Sequence, residues 1–114
     1  MFLQYYVTES TTGNRVNIEI NAATKTDLDA TRNGWQTVWN TDFILDPQKE
    51  KYAAKTEDGE IIALGAYRVR KGSVAVYIAY IESQPESNPT LVEHKKYSGI
   101  GKAMIAFGIQ LSID

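Results

Sequence analysis

Apolar and polar residues alternate near the start of the chain. Val16, Ile18 and Ile20 are interleaved with Asn17 and Glu19, the period-2 pattern of a strand with one wet face. "FLQYYV" at 2–7 is rich in aromatic and β-branched residues and reads as a preceding strand. The turn signal "TTGN" at 11–14 separates the two. From Thr24 the period lengthens. Leu28, Thr31 and Trp35 recur at helical spacing, and Thr24 with Asp27 makes a loose capping box. Gly34 is expected to divide this stretch into two short helices, the second placing Trp35, Val38 and Trp39 on one side.

The middle of the chain predicts a meander. Asp58-Gly59 is a strong hairpin signal between two strand-like runs, and Lys71-Gly72 turns the chain again. Residues 61–67 and 74–81 are almost unbroken apolar runs, so these strands should be covered on both faces. A polar loop over 82–95 carries Pro85 and Pro89 and leads into a helix from about Ser98. Ile100, Ala103, Met104, Phe107 and Leu111 form one apolar stripe of that helix. Ile105, Ile109 and Ile113 form a second, which a one-sided surface helix would not carry. The expected order is strand, strand, helix, helix, three strands, loop, helix. This is an α/β (α+β) chain with a mainly antiparallel sheet and helices on both faces.

Composition narrows the function. The 114 residues are enough for a single domain with its own core. A formal net charge of −2 gives nucleic-acid binding no electrostatic footprint. The absence of cysteine removes disulfides, thiol catalysis and thiolate metal sites. His94 is the one histidine, so no histidine pair can hold a metal. The first eight residues lack the basic start and apolar run of a signal peptide. Nothing reaches the length of a membrane span, and a cytoplasmic location is the expectation.

The stretch that stands out is "KKYSGIGKAM" at 95–104. Two glycines one residue apart let a group approach the backbone, and the helix start offers N–H groups to an anion. A phosphate site is the first reading. A P-loop would need glycine at Lys96 and serine or threonine at Ala103. A dinucleotide fingerprint would need a third glycine at Met104 and a βαβ unit around it. Both fail.

Lys96-Tyr97-Ser98-Gly99-Ile100-Gly101, followed by Lys102-Ala103-Met104, resembles the acetyl-CoA loop of the GCN5-related N-acetyltransferases. That family's signature is Gln or Arg, two variable residues, Gly, one variable residue, then Gly or Ala, opening a helix. The order of elements from Val16 to Asp114 is similar to the N-terminal two-thirds of that acyl-CoA N-acyltransferase fold. The family's next strand and helix have no counterpart in these residues, so the resemblance is to a shortened member. It implies direct transfer of acetyl from acetyl-CoA, without a metal, to a primary amine on a small molecule or peptide. It further implies that Lys96 and Ser98, Gly99, Ile100, Gly101, Lys102 and Ala103 surround the pyrophosphate. Ile81 and Glu82, at the end of the central strand, would face the pantetheine arm, and Glu82 would deprotonate the amine. Lys96 replaces the usual Gln or Arg and gives up a forked donor.

Other readings of these residues remain open. Gly99 and Gly101 could serve only close helix–strand packing. Glu82 could be a solvated strand end, His94 a surface histidine, and Trp35 and Trp39 core residues. The alternative functions are accordingly a non-catalytic CoA-binding module and a structural interaction domain. The second isoleucine stripe and the edge of strand 74–81 lead to a further expectation: self-association through these two surfaces, or only marginal stability as a monomer, with little transferase activity of the chain alone.

Overall fold

The structure, a computed structural model, describes residues 4–32, 34–37, 39, 50–69 and 76–113. It is an α+β fold. Six strands form one antiparallel sheet: β1 (Tyr5–Glu9), β2 (Arg15–Ala22), β3 (Glu50–Thr56), β4 (Ile61–Val69), β5 (Val76–Ser83) and β6 (Tyr97–Ser98). Their spatial order is β5-β4-β3-β2-β1-β6. Two α-helices, α1 (Lys25–Asp29) and α2 (Ile100–Ile113), accompany them among the described residues.

Each layer follows from local chemistry. At Gly59 φ is +85°, so the residue after Asp58 is one that tolerates the left-handed region. Two bonds close that hairpin, Gly59 N–H to the Thr56 carbonyl and Thr56 N–H to the Glu60 carbonyl. The capping box at α1 forms as expected. Thr24 Oγ1 accepts from the Asp27 N–H at 3.2 Å, and the Asp27 carboxylate accepts from the Thr24 N–H at 2.9 Å. Lys55 on β3 pairs with Asp27 at 2.9 Å, tying the helix to the sheet.

Two apolar clusters lie on the sheet. Val7, Ile18, Ile62, Tyr67, Tyr97, Ile100, Ala103 and Met104 make one, with Ile81 and Phe107 packed against it. Leu28, Trp39, Ala53, Leu64 and Ala66 make the other, with Trp35 and Tyr80 at its border. Strand β4 is therefore buried from Ile62 to Tyr67, as its unbroken apolar run requires. The close approach of helix to sheet falls at Gly108 and Gly65. A Cβ on Gly108 would stand 3.0 Å from the Tyr67 ring, and one on Gly65 would stand 2.7 Å from it. The Tyr67 hydroxyl donates to the Met104 carbonyl at 2.8 Å.

Three expectations are corrected. The second short helix after Gly34 is not helical at the described residues 34–37 and 39. The N–H groups of Gln36 and Thr37 are instead bound by the Glu82 carboxylate, which replaces helical partners. Helix α2 begins at Ile100, because Ser98 belongs to β6 and Gly99, at φ +88°, turns the chain between them. The loop after β5 is not simply solvated: Gln84, Ser87 and Asn88 are buried and it contains a 3-10 turn at Pro85–Ser87. Elsewhere the boundaries shift by a few residues, β1 ending at Glu9 and β5 at Ser83. The Lys71-Gly72 turn, Val38 and residues 2–3 and 74–75 lie outside the described residues.

Candidate functional site

The opening of α2 has the backbone geometry that an anion site needs. An added Cβ at Gly99 or Gly101 would meet nothing within 4 Å among the described residues. Close packing therefore does not explain these two glycines; Gly65 and Gly108 carry that role. Gly99 is required by its φ of +88°, whereas Gly101 sits in ordinary helix. Its lack of a side chain leaves the N-terminal backbone open. Lys102 is exposed beside it and is the one charged residue within α2.

A groove of about 420 Å³ runs from this point along β1. Ser98, Gly99, Lys102, Ala103 and Ala106 form one wall, and residues 4–8 form the other. Four of the residues nominated for the pyrophosphate thus line one cavity. Three do not: Ile100 is buried in the core with Met104, and Lys96 and Gly101 are exposed outside the lining.

The base of the loop is held by Glu60, which the sequence did not single out. Its carboxylate accepts from Lys96 Nζ at 2.9 Å, Gln84 Nε2 at 2.9 Å and the Tyr97 hydroxyl at 3.1 Å. Burial pushes the Glu60 carboxyl up, but the bonds from Gln84, Lys96 and Tyr97 outweigh it and hold the group below its ordinary range. Lys96 is raised in turn, chiefly by its bond to Glu60. The Lys96 ammonium is therefore engaged with a carboxylate, leaving Lys102 as the cation at the groove. Tyr97 anchors the loop: its ring is buried, and its N–H donates to Ser87 Oγ at 3.0 Å. His94 is exposed, as a surface histidine would be.

Glu82 occupies a different place. It is 5% exposed. Its Oε2 accepts from the Gln36 N–H at 2.6 Å, and its Oε1 from the Thr37 N–H at 3.2 Å and the Trp39 indole N–H at 2.9 Å. Trp39 is fully buried with its ring edge-on to Tyr80 at 5.3 Å, so it is a core residue. Ile81 packs against the α2-side cluster. Strand β5 is at one end of the sheet and β1, with the groove, is four positions away. The structure does not bring Ile81 and Glu82 together with Ser98–Ala103 in that groove. The nearest sequence signal for this separation was the length of the loop over 82–95, which gives the chain room to cross the sheet end.

No group of three His, Asp or Glu residues placed to hold a metal occurs among the described residues, and no described helix is long and apolar enough to cross a membrane. No family model, curated protein or solved structure matches the chain.

Proposed function

We propose that this chain binds acetyl-CoA at the opening of α2 and belongs with the N-acetyltransferases in chemistry, passing the acetyl group to a primary amine by direct attack. The observation that carries the reading is the bare backbone at the start of α2: Gly99 lines the groove with Ser98 and Lys102, and an added Cβ at Gly99 or Gly101 meets nothing. The donor set suits a pyrophosphate: helix N–H groups aimed outward, one cation, and no carboxylate among the groove-lining residues. Ser98, Gly99, Gly101, Lys102 and Ala103 would hold the cofactor, and the thioester would supply the activated acetyl group. Positioning the thioester against the amine is the protein's main contribution in such a transfer.

Glu82, the base that the resemblance implies, lies outside this groove, so to take the proton it would need the acetyl end brought to it and part of its present engagement released. Its three donors favour a second reading, a CoA-binding module without turnover, in which Glu82 only anchors Gln36, Thr37 and Trp39. Titration with CoA tests what the two share. Gly101→Glu should remove CoA binding while leaving the fold intact, because the position is helical and an added side chain meets nothing. Unchanged affinity in the folded variant would end both readings. Thiol release from acetyl-CoA with a panel of amines then separates catalyst from module.

A further inference from the structure

Strand β6 pairs with β1 at only two positions, Thr8 with Ser98 and Glu9 with Tyr97. At Gly99 the chain leaves that lane for α2. Beyond Thr8, no strand pairs with this side of β1 among the described residues. The empty lane is the groove between residues 4–8 and the first two turns of α2. Backbone alternation fixes which groups face it. The Glu9 N–H bonds to Asn14 on the β2 side, and the Ser10 N–H bonds to Lys96 on the β6 side. On that same side Thr8 is already paired with Ser98, so Tyr6 and Gln4 are the residues that turn their N–H and C=O groups toward the empty lane. Beneath them, Val7 and Ala103 give the groove an apolar floor, and Ala106 continues the helix wall.

Building on the acetyl-CoA reading, we propose that the pantetheine arm lies in this lane, its amides paired with the backbone of β1 at Tyr6. The strand that orients the arm is then β1 rather than β5, and Ile81 and Glu82 take no part in holding it. Continuity selects this occupant. The groove starts at the same Ser98, Gly99, Lys102 and Ala103 that would hold the pyrophosphate, so an arm leaving that point enters the lane directly. The arm's two secondary amides and intervening methylenes match what the lane offers, which is strand-edge hydrogen bonds over an apolar floor. From Tyr6 to Gln4 the chain provides roughly 7 Å of such edge.

The test uses the full chain and two probes, CoA and 3′-phospho-ADP, which lacks the arm. Ala106→Trp fills the lane from an exposed helix position without altering Ser98–Ala103. It should weaken CoA at least about tenfold, toward the affinity of 3′-phospho-ADP, and leave 3′-phospho-ADP unchanged. Tyr6→Pro removes the edge N–H at a place where an edge strand tolerates proline, and should act in the same direction. Amide shifts of the unaltered chain on adding CoA should include Gln4–Val7 and exceed those produced by 3′-phospho-ADP. CoA binding that Ala106→Trp leaves unchanged, or shifts centred on Ile81 and Glu82, would overturn the β1 placement while the cofactor reading stands. Failure of the unaltered chain to bind either probe would overturn both. Equal weakening of both probes by Ala106→Trp would also reject the lane, since the arm would then contribute nothing of its own.

Discussion

The two ends of the sheet handle polar groups in opposite ways. Near the β5 end, a carboxylate is taken into the protein and given three donors, one of them the indole of a fully buried tryptophan. At the β1 end, backbone groups and a cation border open space, and the helix that begins there has no side chain at Gly101. A satisfied buried network fixes structure. An open strand edge beside a bare helix start has bonding capacity left for a ligand. The pair of acidic residues makes the same point. Glu82 was singled out for chemistry and is the more deeply committed, whereas Glu60 holds the loop in place from a more accessible position.

The sharpest way to break this contrast is Glu82→Ala. It leaves the N–H groups of Gln36, Thr37 and Trp39 without their acceptor, and a loss of about 3 kcal/mol or more is expected. That is a large share of the stability of a small domain. Urea unfolding measures it. Undiminished stability would mean that the β5 end is not an anchor, and would return Glu82 to the role of base. If acetyl transfer is observed, Glu82→Gln sharpens the point: a fall in kcat of about 10²-fold at unchanged stability is the signature of a base.

At the opposite end a pair of glycine substitutions should diverge in sign. Gly99→Ala must hold φ at +88° and is expected to cost about 1–2 kcal/mol. Nothing lies within 4 Å of the new methyl, so the cost is in the backbone alone. Gly101→Ala, in regular helix and equally uncrowded, should gain about 0.5–1 kcal/mol. Thermal melts of the two variants decide it. A loss at both positions would reveal packing at the helix start and remove the argument for an open cradle.

Much of this architecture was legible because it rests on local signals. The Thr24 capping box, the Asp58-Gly59 hairpin and the doubly covered β4 each follow from a few neighbouring residues. The helix was legible too, including its second isoleucine row. Non-local satisfaction was not. Nothing near Gln36 and Thr37 tells that a carboxylate more than forty positions away will take their N–H groups and prevent a helix turn. Strand β6 was missed because two residues give no period to read, and its pairing depends on where the long loop crosses the sheet. Of the two loop glycines singled out in the sequence, the structure requires glycine at Gly99, by its φ of +88°, whereas Gly101 lies in ordinary helix. The same crossing puts Ile81 and Glu82 away from the groove.

A smaller effect concerns the latch at the foot of the loop. The Glu60 carboxyl is depressed in the folded chain despite burial, so its contribution is present above its ordinary value of 4.5 and is lost as pH falls through the lower folded value. Both partners are partly exposed, 46% for the Lys96 side chain and 31% for that of Glu60, which keeps the contribution under about 1 kcal/mol. Amide exchange over 84–97 should accelerate between about pH 5 and pH 3, relative to β4, and Glu60→Gln should flatten that dependence. An unchanged profile in the variant would assign the acid response elsewhere, with Asp27, also depressed, as the next group to test.

The smallest expected change in folding stability, and a direct probe of self-association, comes from the outer face of α2. Ile105, Ile109 and Ile113 are 49%, 58% and 72% exposed, in a row spaced by four residues. Rows of this spacing are the ridges that helices interlock, and strand β5 lies at the sheet end as the other surface expected to pair. Ile109→Lys places a charge at the middle of the row, where an exposed side chain contributes little to the monomer, so stability should change by no more than about 0.5 kcal/mol. Self-association through the row should nevertheless be lost, because burying a lysine against a second apolar ridge is unfavourable. Sedimentation velocity over a concentration series compares the two chains. Concentration-dependent association in the original chain and none in Ile109→Lys would locate the contact on α2. Equal association in both would move it to the β5 edge, and a monomer at every concentration would show that this apolar row is tolerated in water.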